Sequence, residues 1–297
     1  MSHPLYPYDR HSNIVTWVYN AFLDRIRYEL KYDCIPDPKI CLNGGKECTP
    51  DLISINKGES VIIILDGKSP IDGIDFQEIG IDINKLVEKI GKYKNISQES
   101  IQEIFSVSGI QNIETVAATD FENYQHYETD LKSSSDQNNI PLWIIKDNMS
   151  PKILQLIEGS HSHKELQDKL SAGISLPPHP LKPLFYTRHT NLKIISYVVL
   201  ERLIDWCVSE RINRFNVEDI DFVATKFYEY HPILGHLTRD ERLKKWKNVL
   251  KQGISTGFLE EAEERNYYKW KKDIPNLAYN YISPLIDNLK QKFKIKS

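Results

Sequence analysis

Three side chains carry the chemistry that this sequence makes plausible: Asp51, Asp66 and Lys68. Asp51 heads the run Leu52-Ile-Ser-Ile55, and Asp66 and Lys68 close the run Val61-Ile-Ile-Ile-Leu65. The turn Asn56-Lys-Gly58-Glu separates the two runs. That pattern predicts a β-hairpin whose second strand is apolar on both faces and therefore central in a sheet. In an antiparallel pair the start of one strand lies beside the end of the other, so both carboxylates meet at one sheet edge. Positions 66 and 68 share a face because strand side chains alternate. Paired carboxylates suit a hard divalent cation, Mg²⁺ or Mn²⁺, with water and phosphate oxygens completing its shell. A neighbouring lysine would orient a water or offset charge on a phosphate. The competing reading is a surface turn in which Lys68 pairs with a nearby acid. Asp37-Pro38-Lys39 and Asp130-Leu131-Lys132 repeat the same short pattern, but neither has the hairpin, the buried-type strand and a helix upstream.

The elements that would position these residues are legible around them. Ser12 caps a predicted helix to about Tyr32, with Trp17, Val18, Phe22 and Ile26 at helical spacing. Ile35 to Leu42 and a Gly44-Gly45 turn precede the hairpin. Helices are predicted at about Ile83 to Lys92 and Gln98 to Phe105, and strands at Glu114 to Ala118 and Pro141 to Ile145. The polar stretch ending in Ser133 to Asn139 reads as a flexible loop. Helix, three strands, helix and further strands make a mixed α/β sheet. Length favours two domains at roughly 150 residues each. We expect a first domain over 1–150, a transitional region over 151–190 holding a short helix at Lys164 to Leu170, and a helical domain over 191–297.

Pro50-Asp51, fourteen intervening residues and then Asp66-Gly67-Lys68 resemble the signature of the PD-(D/E)XK nuclease superfamily, over residues 12 to 146. The resemblance implies a restriction-endonuclease-like core in which Asp51, Asp66 and the main-chain carbonyl of Gly67 bind the metal while Lys68 assists the attacking water. Many members add a glutamate from the first helix. Glu29 is the candidate, seven residues after Phe22 and so on the helix face expected to look into the sheet.

The C-terminal part reads as helices over Ile194 to Val208, Val217 to Phe227 with Asn216 as cap, and Arg239 to Lys251 behind a Thr238-x-x-Glu241 capping box. A β-hairpin within residues 253–270 and a closing helix, Asn276 to Phe293, are expected to follow. Three helices and a hairpin resemble a winged helix. Leu243, Trp246 and Leu250 form the inward stripe of the third helix. Arg239, Arg242, Lys244, Lys245, Lys247 and Lys251 are then the candidate DNA contacts. The connection Tyr228 to Leu237 is long for this motif, and the wing tip, Glu260 to Glu264, is acidic. A helical protein-interaction domain with a solvated lysine face fits the same pattern.

Charge is divided unevenly: residues 1–150 hold 14 Lys and Arg against 23 Asp and Glu, and residues 151–297 hold 24 against 18, so balances of −9 and +6 sum to the chain's −3. An acidic catalytic half and a basic polyanion-binding half would give that layout. No apolar run is long enough to cross a bilayer. No secretory signal is visible, so the four cysteines are expected reduced in a cytoplasm. Cys34, Cys41 and Cys48 recur every seven residues, which is no zinc-site spacing. His161, His163 and His179 read as a polar loop, and no nucleotide-binding glycine loop is present. The expected function is a metal-dependent DNA endonuclease, a restriction enzyme or the strand-cutting component of a mobile element. Its expected partner is DNA and no membrane, with the chain acting as a homodimer or with a partner protein in a larger DNA-processing complex. The alternative is a non-catalytic DNA-binding or assembly protein on an inactive nuclease scaffold.

Overall fold

The computed structural model describes residues 10–68, 83–110, 112–181, 184, 186–227, 232–276 and 281–294. The chain divides into two compact units, one within residues 10–183 and the other within 184–297.

The first unit opens with α1 (Arg10–Ala21), which passes through a π-helical turn (Phe22–Ile26) into α2 (Arg27–Leu30). Lys31, in the left-handed region at φ 59°, ends it. The buried stripe is Ile14, Val15, Val18, Phe22, Ile26 and Leu30. The π-turn inserts a residue into the helical period, so the stripe steps from Phe22 to Ile26 to Leu30 and passes over position 29.

There follow β1 (Tyr32–Pro36), the short pair β2 (Ile40–Cys41) and β3 (Glu47–Cys48), and the predicted hairpin, β4 (Leu52–Asn56) and β5 (Val61–Gly67). α3 (Ile83–Gly91), a 3₁₀ turn (Lys92–Asn95) and α4 (Gln98–Phe105) lead to β6 (Asn112–Asp120). α5 (Phe121–Asn138) then crosses to β7 (Leu142–Lys146), and β8 (Ile153–Glu158), α6 (Lys164–Ala172) and β9 (Ile174–Ser175) complete the unit. Seven strands form one mixed sheet in the order β1-β4-β5-β6-β7-β8-β9. β5, β6 and β7 are parallel and the remaining pairs antiparallel. The carboxyl ends of the parallel strands therefore share one edge, which is where open α/β sheets place their ligands.

Two expectations change here. Residues 133–139 are not a loop: through Asn138 they are the last turns of α5. Asp120 caps that helix by accepting from the Asn123 amide at 2.8 Å. Ser134 and Ser135 are buried, and the Ser135 hydroxyl donates to the Ile140 carbonyl at 2.6 Å. Small polar residues suited to close packing had looked like loop composition. Residues 153–175, expected to be transitional, supply two strands and a helix to the first unit, so its sheet extends well past residue 150.

The second unit comprises α7 (Leu192–Glu210), β10 (Arg214–Phe215), α8 (Val217–Phe222) with a π-turn (Val223–Phe227), α9 (Arg239–Ser255), β11 (Leu259–Glu261), β12 (Tyr268–Trp270) and α10 (Ile282–Phe293). Both caps predicted for this unit form: Asn216 accepts from the Glu218 and Asp219 amides, and Thr238 and Glu241 close a capping box; the cap expected at Ser12 does not, because α1 already runs from Arg10 and Ser12 lies within it. The predicted hairpin is β11 and β12, and β10 joins it as a third strand in the order β10-β12-β11. Phe215, Trp246, Leu203, Leu259 and Leu289 lie in the core between. Part of the Tyr228 to Leu237 connection and the start of the expected last helix lie outside the described residues. The fold class is thus mixed α/β, a seven-stranded mixed sheet followed by a mainly helical unit. No helix among the described residues is long and apolar enough to cross a membrane.

Candidate metal centre at the sheet edge

β4 and β5 pair with Leu52 opposite Leu65 and Ile53 opposite Ile64. One step beyond, the same register sets Asp51 opposite Asp66, on the face that residue 68 shares. Asp51 is fully buried. Its Oδ2 accepts from the Gly67 amide at 2.6 Å and lies 2.9 Å from Nε2 of His11, in the first turn of α1. Lys68 Nζ sits 2.8 Å from Asp66 Oδ2, and the Tyr93 hydroxyl donates to the same oxygen at 3.3 Å. Lys68 is itself tied down: its amide donates to the Ala118 carbonyl at 2.7 Å, and its carbonyl accepts from the Thr119 hydroxyl at 2.7 Å. Gly67 packs closely: a Cβ there would lie 3.3 Å from Ile14 Cγ2, so that side chain would have to give by a few tenths of an ångström, and 3.5 Å from Asp51 Oδ2, in ordinary contact. The sheet edge, α1 and the 3₁₀ turn thus converge on one corner.

The electrostatics of that corner are those of two acids forced together. Burial alone would raise both pKa values. For Asp51 the His11 imidazole and Lys68 outweigh burial and hold the carboxyl well below the usual range. For Asp66 burial dominates and Asp51 adds to it, outweighing Lys68, so the carboxyl is pushed up to about 6. Asp51 Oδ1 is buried with no donor directed at it. A ring nitrogen of His11 and one oxygen each of Asp51 and Asp66 lie within 4.8 Å of one another. Only a proton or a cation lets two adjacent carboxylates coexist at that spacing, and the donor set of one nitrogen and two anionic oxygens fits a divalent cation.

Glu29 is a correction. It lies eighteen residues beyond His11, roughly 27 Å along a helix at 1.5 Å per residue. There it is exposed and paired with Arg25 at 3.5 Å and with Lys169. Across the π-turn the seven-residue step from Phe22 no longer returns to the same face. The first helix contributes His11 instead, which the sequence reading missed. A signal existed, since His11 begins the stripe continued by Ile14, Val15, Val18 and Phe22. Tyr93 was also missed, and nothing local marks it. All four cysteines are free thiols. His161 is not in a solvated loop. It is buried, accepts from the Trp143 indole at 2.9 Å and donates to Glu114 at 2.6 Å, while the Ser162 amide donates to Glu114 at 2.8 Å. That network is satisfied internally. His163 stacks on Tyr32, whose hydroxyl is 3.0 Å from its Nδ1.

In the second unit the six basic candidates on α9 separate into two groups. Lys244, Lys247 and Lys251 are exposed at spacings of three and four, hence on one face. Arg239 is exposed but paired with Glu218. Arg242 is largely buried, gripping both oxygens of Asp221 at 2.8 and 3.0 Å and the Leu237 carbonyl at 2.6 Å. The Trp246 indole also donates to Asp221, at 2.7 Å. Lys245 donates to the Arg188 carbonyl at 2.9 Å.

No protein-family model matches the chain, and no curated protein matches it. Among solved structures it is similar to an fdxN element excision controlling factor protein from Anabaena variabilis, at 11% identity and a TM-score of 0.29, over 45% of this chain and 92% of that one. It is also similar to an XisH family protein from Nostoc punctiforme, at 14% identity and a TM-score of 0.29, over 50% of this chain and all of that one. An overlap of that size assigns neither fold nor function to this chain.

Proposed function

We propose that the protein is a metal-dependent deoxyribonuclease of the PD-(D/E)XK kind, hydrolysing phosphodiester bonds with a metal-activated water. The observation that carries this reading is the pair Asp51 and Asp66, set opposite each other at the end of a central strand with Lys68 2.8 Å from the second. The orphaned, buried Asp51 Oδ1 beside a second carboxylate fits a bound divalent cation. Asp51, Asp66, His11 and the Gly67 carbonyl would hold Mg²⁺ or Mn²⁺. When bound, such an ion lowers the pKa of a water and offsets charge on the scissile phosphate. Lys68 supplies a fixed ammonium beside the same carboxylate, placed to orient the attacking water and to offset charge that develops on the phosphate oxygens. Tyr93 orients Asp66 through its hydroxyl.

DNA is the substrate proposed, and α9 the element that would hold it. Helix, strand, two helices and a hairpin joined to that strand is a winged-helix-like order. Lys244, Lys247 and Lys251 would face phosphates. The biological setting would be restriction or strand cutting for a mobile element, as a homodimer or with a partner protein.

The test is plasmid cleavage by the purified protein with Mg²⁺ or Mn²⁺ added after chelation. Metal-dependent cutting is expected. Asp51→Ala and Asp66→Ala should each abolish it while circular dichroism shows the fold intact. DNA binding without cutting under any divalent ion would leave the protein as a binding or assembly factor on a nuclease-like scaffold.

A further inference from the structure

We propose that the outer edge of β1 is a docking site for an extended, apolar and acidic segment of a partner protein, which adds to the first sheet as a further strand. The inference goes beyond the cleavage chemistry and does not depend on it. The sheet has two edges. One is β9, two residues long, and so short an edge offers little to pair with. The other is β1, five residues long and paired only with β4. The phase of that pairing fixes which groups point outward. The Asp37 amide donates to the Asp51 carbonyl at 2.7 Å, one step beyond the pair Pro36 and Leu52. Antiparallel pairs alternate, so Asp33 and Ile35 also turn amide and carbonyl toward β4, while Cys34 and Pro36 turn theirs away. An outward position on an edge strand is where a sheet tolerates proline, because no ladder amide is lost there. No described residue accepts from the Cys34 amide or donates to the Cys34 and Pro36 carbonyls.

A groove of about 290 Å³ follows this edge and is walled on both faces of the sheet. On the face shared by Tyr32 and Cys34, the wall is the π-turn of the first helix, through Phe22 and Leu23. On the face of Ile35 it is the end of α4, through Ile104 and Phe105. Each apolar wall carries a cation at its rim. Lys57 is half exposed and reaches Asp33 at 3.9 Å. Arg27 is exposed and makes no ion pair with any described residue. The side chains of an added strand alternate between the two walls. One strand can therefore set apolar groups against Leu23 and Ile104 and acids beside Arg27 and Lys57, while its backbone bonds to Cys34 and Pro36. A second copy of the chain suits the edge less well. Two-fold pairing centred on Cys34 would need Tyr32 opposite Pro36 across the axis, and Tyr32 is fully buried. A peptide can stop short of that point.

The test uses the full-length protein and random nine-residue peptides displayed on phage. Enriched peptides, synthesised with capped ends, should alternate apolar residues with others and carry aspartate or glutamate. Bound peptide should slow hydrogen exchange in the segment 32–36. A scan of single N-methylations along the peptide should weaken binding about tenfold or more, and only at alternate positions, because only alternate amides face β1. Arg27→Glu and Lys57→Glu should each weaken it by about tenfold with the melting temperature unchanged, since both side chains are exposed. The methylation scan leaves the protein unaltered, so it decides even if a variant fails to fold. No enriched peptide, a scan without alternation, or full affinity in both charge variants overturns the proposal. A protein that sediments as a dimer and becomes a monomer in Arg27→Glu assigns the edge to a second copy and overturns it too.

Discussion

The carboxyls of Asp51 and Asp66 are shifted in opposite directions, and the signs give a measurable signature of the site without a cation. The Asp66 carboxyl is held at about 6 in the fold, against an ordinary value of 3.8. The unfolded chain therefore loses that proton first as pH rises, and the contribution of Asp66 to stability falls between about pH 4 and 6 and stays lost above. Asp51 is depressed, so its contribution is full above its ordinary range and is lost as pH falls through its lowered pKa. Asp66→Asn should accordingly melt above the chelated wild type at pH 7, with that advantage shrinking toward pH 4. An advantage that does not vary with pH would contradict the assignment. Lys68→Ala tests the division of labour at the same scale. In the proposed reading it would remove a charge that acts on the reacting phosphate rather than on the cation. Metal affinity measured by calorimetry should survive, while single-turnover cleavage slows by roughly 10²–10³-fold. Loss of metal binding instead would make Lys68 a structural partner of Asp66.

Among the elements, α9 shows how basic residues on one helix take different work. Arg242 holds Asp221, whose side chain is only 10% exposed, in an arrangement that Trp246 shares. Arg242→Ala would leave that carboxylate with the Trp246 indole but without its guanidinium and cost about 1–3 kcal/mol of stability, read as a lower melting temperature. Exchanging Lys244, Lys247 and Lys251 for Gln strands nothing. The melting temperature should hold, while the salt dependence of DNA affinity flattens by about 0.9 for each phosphate that a lysine no longer neutralises. An unchanged slope would point to a protein-binding face. The opening helix makes the companion point, because one π-turn decides whether a residue seven positions on faces the sheet or the solvent.

For the whole molecule, each unit has an interior of its own. Ile53, Ile55, Ile62 and Ile64 pack with Ile101 and Phe105 under the first sheet, and Trp246, Leu203 and Leu289 share the core of the second unit. Chains spanning 10–183 and 184–297 should therefore each unfold in a single cooperative transition when expressed alone. A non-cooperative melt from either piece would show that its core depends on the other. The first piece should retain divalent-cation binding, and the charge balance predicts that it binds DNA more weakly than the whole chain.

Read alone, the chain settles whatever follows from local pattern and pairing arithmetic. The apolar runs 52–55 and 61–65 and the turn between them specify a hairpin, and a hairpin's register alone puts Asp51 opposite Asp66. Asn216 and Thr238 announced their helices because a cap satisfies amides within the next few residues. Tertiary packing settled what depends on partners distant in the chain. His11 rather than Glu29 completes the acidic pair, forty residues from Asp51, because helix phase after a π-turn cannot be counted from an unbroken 3.6-residue period. His161 is a buried link between Glu114 and Trp143, and Arg242 a brace for Asp221, because a polar side chain takes its role from the group it meets. Packing of elements far apart in sequence chooses that group.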